Sequence, residues 1–504
     1  MPDYLFKLFI AVALMPSALL PAQTTEDGQL IPPSLHNASE YGAATAIHGN
    51  TIAIGSPDSS SAGSGIGAVH LFYPSGGDYV HNFELSIPGS TAGEFGWALD
   101  LEGDRLVVGA PKMHGAASRT GLVHVYKRNL SGWDLEQTLQ ASDGETGDRF
   151  GHAVAIEGDV ILIGAPKSDG FGLSSGSAYA FIHNGTSWVE NWKFQSGLPA
   201  IAAEFGSALD IADGFATIGE PYSSHQGFES GAAYTFKRNG LTWYLYATGY
   251  PNDPTVGARF GWSVSSSYDR VVIGAPGGSS SNRSGAAYYF DLGSGHWNQK
   301  HKFALDSAYD DQSFGWSVGL CANQAVVSAP KSRLGSGAIY LFSLSNGIWG
   351  EPVQCLSSHD GVGSEFGNSV SCEAGWMATG SPFHDEVGMN DAGAAYVFDL
   401  LQLDAYPLSP VAGNSVDLSV SGGTVQDWTY LALSLTGLGS YNIPGLGIEL
   451  DLNAPQQLEY RKQAGLDGSA DWSPNVPLAA AGMTVWIQGF QAGRTTNVIE
   501  LTIQ

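Results

Sequence analysis

The chain has 504 residues, 43% of them hydrophobic and 14% charged, with 67 glycines. That composition supports a packed core, argues against disorder, and suits many short strands joined by tight turns. The formal charge is -27 with 21 Lys plus Arg, which argues against nucleic acid or an anionic membrane surface as partner, since both need a cationic face.

At the N-terminus, Lys7 precedes a nearly all-apolar run over residues 8–20, and small residues follow near Ala22. This order predicts a signal peptide over residues 1–22. The run falls short of the ~20 apolar residues a membrane span needs. The mature chain is therefore expected to begin near Ala22 or Gln23, to be secreted or held at the cell surface, and to keep no span.

From Tyr41 onward one phrase recurs. Phe95-Gly96 is followed, fourteen residues after the Phe, by Gly109-Ala110-Pro111. Phe150-Gly151 leads in the same way to Gly164-Ala165-Pro166, and Phe260-Gly261 to Gly274-Ala275-Pro276. Looser copies start at Tyr41, Phe205, Phe314 and Phe366. The seven starts lie 54, 55, 55, 55, 54 and 52 residues apart. Such a period marks a repeat architecture.

Each copy predicts four strands. The first begins at Phe-Gly and ends in a two-residue turn such as Gly103-Asp104 or Gly158-Asp159. The second is a short apolar run such as Ile161-Leu162-Ile163, stopped by the Pro, which has no amide to donate. A loop rich in Ser and Gly leads to the third, such as Gly176-Ser177-Ala178-Tyr179-Ala180-Phe181. The fourth usually opens with a Trp: Trp133, Trp188, Trp243, Trp297 and Trp349. The second strand is apolar on both faces, so each unit must be covered on both sides by its neighbours. Seven such units predict an all-β, seven-bladed β-propeller over residues 23–400. An open solenoid would need polar capping units, and neither terminal copy reads as one. The seventh copy lacks a Trp-led fourth strand, whereas a spare strand around Leu30 precedes the first. That strand is expected to complete the last blade from outside and to close the ring.

The Phe-Gly, Gly-Ala-Pro and Gly-Ala-x-Tyr-x-Phe phrases resemble the FG-GAP repeat of integrin α-subunit propellers and of many secreted bacterial proteins. The resemblance implies a propeller that binds partners through its loops. Integrin-type repeats often carry a calcium loop between Phe-Gly and Gly-Ala-Pro. Here the turn Gly103-Asp104 supplies one carboxylate where a hard cation needs several oxygens. Calcium and other cofactors are therefore not expected.

Beyond Leu401 the repeat stops. Strand-like runs at 416–420, 430–435, 447–452, 484–488 and 497–503 predict a C-terminal β-sandwich over residues 401–504. It resembles the C-terminal β-domains of exported bacterial repeat proteins. Cys321 and Cys372 occupy first strands at offsets of seven and six from their Phe, and so point to opposite faces of their strands. No bridge is expected between them.

The long loops should cluster on one face, where binding resides. Candidate ligand-binding residues there are Asp143, Glu145 and Asp148 before Phe150, Asp310 and Asp311 before Phe314, and Asp360 and Glu365 before Phe366. Solvated loop charge is the plainer account of these carboxylates. Trp97, Trp262 and Trp316 each follow a Phe-Gly and are further candidates, against a role in packing between blades. His70 and His124 occupy the position of Tyr179 and read as packing substitutes. No His-Glu-x-x-His or Gly-x-Ser-x-Gly phrase occurs. The expected role is non-enzymatic binding or adhesion to an extracellular protein or glycan. A lectin-like propeller and a polysaccharide-acting enzyme are the alternatives.

Overall fold

A computed structural model describes residues 23–406 and strand segments between Asp417 and Thr502. Outside the described residues lie 1–22, the short stretches 26–27, 34–35, 59–64, 76–77, 88–92, 278–283 and 306–312, scattered single positions, and the links between the C-terminal strands. The expected signal peptide falls among them.

Seven antiparallel sheets follow one another along the chain. Blade 3 shows the pattern: Val154–Glu157, Val160–Ala165, Ser177–His183 and Trp188–Phe194, paired in that order from inside to outside. Blades 1, 2, 4 and 5 repeat it, with first strands at Ala44–His48, Ala98–Glu102, Leu209–Ala212 and Ser263–Ser267. Blades 6 and 7 begin at Val318–Cys321 and Ser369–Glu373. The first strands of adjacent blades pack against one another all round, including blade 7 against blade 1, so they wall a central channel. The second strands are buried along nearly their whole length, as in Thr51–Ser56 and Phe215–Glu220. An outer strand such as Asp78–Leu85 alternates between exposed and half-buried residues.

The repeated phrase is the joint between blades. A Cβ on Gly109 would collide with the carbonyl of Gly151 in the next blade, and Gly55, Gly164, Gly219, Gly274 and Gly380 meet their neighbours in the same way. Only glycine lets the two backbones approach this closely. The glycine that opens the third strand pairs with the Phe of the next blade, as in Gly176 with Phe205 and Gly337 with Phe366. Tyr41 pairs identically with Gly393, so the seventh blade meets the first and the ring is closed.

The N-terminal segment latches the ring twice. Gly28–Gln29 pairs antiparallel with Ala394–Asp399 and supplies the outer strand of blade 7, as expected. Leu30 is buried, its amide donates to the Ala395 carbonyl at 2.8 Å, and its carbonyl accepts the Tyr41 hydroxyl at 2.9 Å. One step earlier, Gln23–Thr25 runs parallel to Val353–Leu356 at the outside of blade 6. This second latch was not expected from the sequence.

The expectation of no disulfide is overturned: Cys321 and Cys372 are bridged, with their Cα atoms 5.9 Å apart. Their opposite facing is the reason. They lie on adjacent first strands, so one must face forward and the other back. Cys321 packs with Met377 and Phe398 of blade 7, while Gly319, on the same face of its strand, meets the Cys372 sulfur. Cys355 is buried and takes no part in the bridge.

Past the ring, the described strands form antiparallel sheets. Gln402–Tyr406, Asp417–Ser421 and Ala470–Trp472 form one. Trp428–Ser434, Thr484–Gln491 and Arg494–Thr502 build a second, and Leu438–Ile443 with Ile448–Leu452 a third. Described strands overlap each of the five expected runs, and Gln402–Tyr406, Leu438–Ile443 and Ala470–Trp472 are further strands among the described residues.

Candidate functional site

The loop into the first strand and the loop after the second lie on the same rim of the ring. At that rim the residue before each Phe-Gly or Tyr-Gly takes a left-handed backbone: Glu40, Glu94, Arg149, Glu204, Arg259, Ser313 and Glu365 have φ between 51° and 67°. Non-glycine residues adopt this conformation rarely, and it is held where the surroundings enforce it. Here the turn closes on itself. The amide two residues after the Phe donates back to this corner's carbonyl, as from Trp97 to Glu94 at 3.1 Å and from Trp262 to Arg259 at 3.1 Å. The residue carrying that amide therefore stands at the mouth of the channel. Round the ring these residues are Ala43, Trp97, His152, Ser207, Trp262, Trp316 and Asn368.

The aromatic members make a discontinuous arc. Trp262 and Trp316 lie with ring centroids 4.9 Å apart, and Trp97 lies 5.6 Å from His152. All three tryptophans are half-buried. Tyr222 meets Trp262 edge-on at 6.4 Å. Cations cap the arc: the Arg259 guanidinium is 5.0 Å from the Tyr222 ring and 6.0 Å from Trp262, and the Lys331 ammonium is 5.0 Å from Trp316. An arc of π-faces and long polar tips offers stacking and hydrogen bonding at low entropic cost. By contrast Trp133, Trp188 and Trp243 are buried in packing between blades, as expected, while Trp297 and Trp349 at the same position are half-buried.

The acidic candidates divide. Asp143 is spent within its blade: Oδ1 accepts the Tyr179 hydroxyl at 2.9 Å and Oδ2 pairs with the Lys193 ammonium at 2.6 Å. Partial burial would raise its pKa, but those two partners hold it below the usual carboxylate range. Asp148 is buried, accepts the Glu145 amide at 2.8 Å, and has its pKa raised by that burial. The Glu145 side chain is exposed. Glu365 occupies the left-handed corner of blade 7, its pKa raised by burial, with Asn368 donating to it at 3.4 Å. Asp310, Asp311 and Asp360 lie outside the described residues. The structure thus brings Trp262 and Trp316 together, whereas Asp143 is paired within its own blade.

The channel wall holds groups that sequence reading missed. Asp100 Oδ2 accepts the Ile156 amide of the next blade at 2.7 Å, and Oδ1 accepts the Leu101 amide at 2.9 Å. Asp210 repeats this with Ser266 at 2.6 Å and Ile211 at 2.8 Å. Burial pushes both up to about 7. At the short-turn end, Glu102, Glu157 and Glu373 accept turn amides of the following blade from Gly158, Asp213 and Gly49. The available signal was a carboxylate five or seven residues after the Phe. These acids are joints, each occupied by backbone amides. Among the described residues no cluster of three His, Cys, Asp or Glu is placed to hold a metal. No described helix is long and apolar enough to cross a membrane.

The FG-GAP repeat model matches residues 133–181, 246–290 and 349–398. The chain carries FG-GAP repeats. Its propeller is integrin α-like: integrin alpha-E of Mus musculus is 36% identical over 143 aligned residues, covering 24% of this chain. The FG-GAP chain spans 12% of that relative's length. Among solved structures, the crystal structure of the Saccharomyces cerevisiae Sqt1 aligns over 75% of this chain and 99% of its own, at 14% identity and a TM-score of 0.43.

Proposed function

We propose that this FG-GAP protein is an exported, non-enzymatic binding or adhesion protein that holds an extracellular protein or glycan on the long-loop face of its propeller. The observation that carries this reading is the half-buried pair Trp262 and Trp316 at the channel mouth, capped by Arg259 and Lys331. At the repeated fourth-strand position Trp133, Trp188 and Trp243 are buried, and the half-buried Trp297 and Trp349 pack on Phe290 and Phe303. Tryptophan, tyrosine and arginine are the residues that dominate binding hot spots. The Cys321–Cys372 bridge favours an oxidising compartment, consistent with export. The likeness to part of an integrin α-subunit favours a binding role over catalysis. In this reading residues 401–504 fold as a β-sandwich that spaces or sorts the propeller.

The test is affinity fractionation of cell-surface proteins and glycans on the immobilised full chain, beside a Trp262→Ala/Trp316→Ala variant. Retention by the parent, lost in a variant of unchanged melting temperature, supports the reading. Equal retention by both, or turnover of a glycan without retention, overturns it.

A further inference from the structure

We propose that a cavity between the long loops of blades 2 and 3 is an oxyanion subsite, for a ligand carrying one isolated carboxylate, sulfate or phosphate group. The cavity has a volume of about 330 Å³, and its wall includes Lys112, Arg119, Arg149 and Lys167. The whole chain has 21 Lys plus Arg against 48 Asp plus Glu. Four cations on one small cavity therefore reverse the sign of the surface around them.

The four are not equivalent. Lys112 and Lys167 each follow the Pro of a Gly-Ala-Pro phrase, so the joint between blades fixes where they leave the backbone. Each pairs with a carboxylate, Lys112 with Glu94 and Lys167 with Glu204. Arg119 and Arg149 stand on left-handed residues, with φ 53° and 59°. Neither makes an ion pair or side-chain hydrogen bond among the described residues. In a chain this rich in carboxylates, two guanidiniums left without an acid at one cavity are donors awaiting an acceptor. A guanidinium presents a planar fork that matches an oxyanion with two hydrogen bonds. His152 registers the local field: burial first, then the charges of Arg149 and Lys167, depress its pKa to about 4.

The surroundings select the ligand class. Asp169 shares the wall, with its Oδ1 taken by the Ser174 amide at 2.7 Å, and it limits the net charge to what one anionic group needs. A polyanion would have to lie along the acidic surface beyond the cavity and be repelled there. Leu173, 66% exposed at the lip, offers apolar surface to the carbon body of a small ligand. A volume near the lower end of ligand pockets (roughly 300–1,000 Å³) suits a single such group.

The test is calorimetric titration of the full chain at constant ionic strength with glucuronate, inorganic sulfate and inorganic phosphate, with glucose as the neutral control and dextran sulfate as the polyanion. One site per chain for at least one anion, weakening with salt, is expected; glucose should not bind, and dextran sulfate should bind no tighter per charge. An Arg119→Gln/Arg149→Asn variant should bind at least about tenfold more weakly, since Asn tolerates the left-handed backbone at 149. Arg119→Gln alone changes an exposed side chain and keeps the comparison sound if the double variant folds poorly; it should weaken binding severalfold. No anion binding by the parent, equal binding of glucose, tighter dextran sulfate binding, or unchanged affinity in both variants would each overturn the proposal. The Trp262→Ala/Trp316→Ala variant should keep this anion site, so its failure and that of the partner-binding reading are read separately.

Discussion

Asp100 and Ile156 are joined across two blades by a 2.7 Å hydrogen bond that Asp100 accepts with one oxygen while its other holds the Leu101 amide. The equivalent residue of the preceding blade is Ala46, which offers Leu101 no acceptor. Asp210 serves blades 4 and 5 in the same way, after Ala155. In blades 5 and 7 a serine does half the work: Ser265 accepts the Leu320 amide and Ser371 the Ile47 amide, both at 3.1 Å. Where the position is Gly319, the disulfide stands beside it.

These acids give the ring a pH response. Asp100 and Asp210 are raised from 3.8 to about 7 in the fold, first by burial. A raised acid stabilises most below its unfolded pKa, and that contribution is lost as pH rises through the folded value. His70 and His124 act oppositely, because burial lowers them to about 3 and about 4 and their contribution is lost as pH falls below 6.5. The two effects overlap, so only a difference isolates the acids. An Asp100→Ser/Asp210→Ser variant, copying blades 5 and 7, should gain melting temperature relative to the parent between about pH 4 and pH 8. Parallel melting profiles across that range would show that the acids do not titrate in this window.

Much of this architecture is legible in the sequence because the repeat is the geometry. The constant fourteen-residue spacing places a glycine opposite the next blade's Phe-Gly, and the seventh copy's missing fourth strand points to Leu30. The second latch, Gln23–Thr25, carries no motif and pairs in parallel, so nothing local announces it. The disulfide was missed because facing was compared within each strand, whereas the bond forms between neighbouring blades. At the rim, the offset of Trp262 and Trp316 is visible in the sequence, but their exposure depends on the left-handed corner before each Phe. Asp143 looked available as a loop carboxylate because its partners, Tyr179 and Lys193, come 36 and 50 residues later.

The close approach at the joints sets a steep cost. Gly109→Ala puts a methyl against the Gly151 carbonyl, with the Ala98 Cβ also close and no flexible side chain to yield. A loss of about 3 kcal/mol is expected from such overpacking, read from denaturant midpoints. Gly103→Ala is the control: nothing stands within 4 Å of its Cβ, and only the positive φ of 58° is strained. It should cost about 1 kcal/mol. Equal losses for the two would mean that the approach seen at Gly109 is relieved by backbone movement.

The bridge closes a sequence separation of 51 residues and ties blade 6 to blade 7 where Gly319 removes a side-chain clasp. By loop entropy it should contribute about 4 kcal/mol. Reducing agent should lower the parent's melting temperature and leave a Cys321→Ser/Cys372→Ser variant unmoved. Equal sensitivity in both would place the effect elsewhere.

The latch at Leu30 is the joint most exposed to failure, because it alone closes the edge of blade 7. Leu30→Ala removes a fully buried side chain from between Tyr41 and Val397 and should cost about 3 kcal/mol. Tyr41→Phe keeps the packing but leaves the Leu30 carbonyl without the hydroxyl that reaches it at 2.9 Å, for about 1 kcal/mol. Beyond stability, a loosened latch bares the outer face of Ala394–Asp399, an unpaired edge that invites a second chain. Light scattering on warming should therefore show Leu30→Ala associating before it loses its sheet signal, while Tyr41→Phe and the parent unfold first and associate afterwards. Simultaneous loss of sheet and solubility in all three would mean that the ring opens as a whole and that the N-terminal strand is no weaker than any other seam.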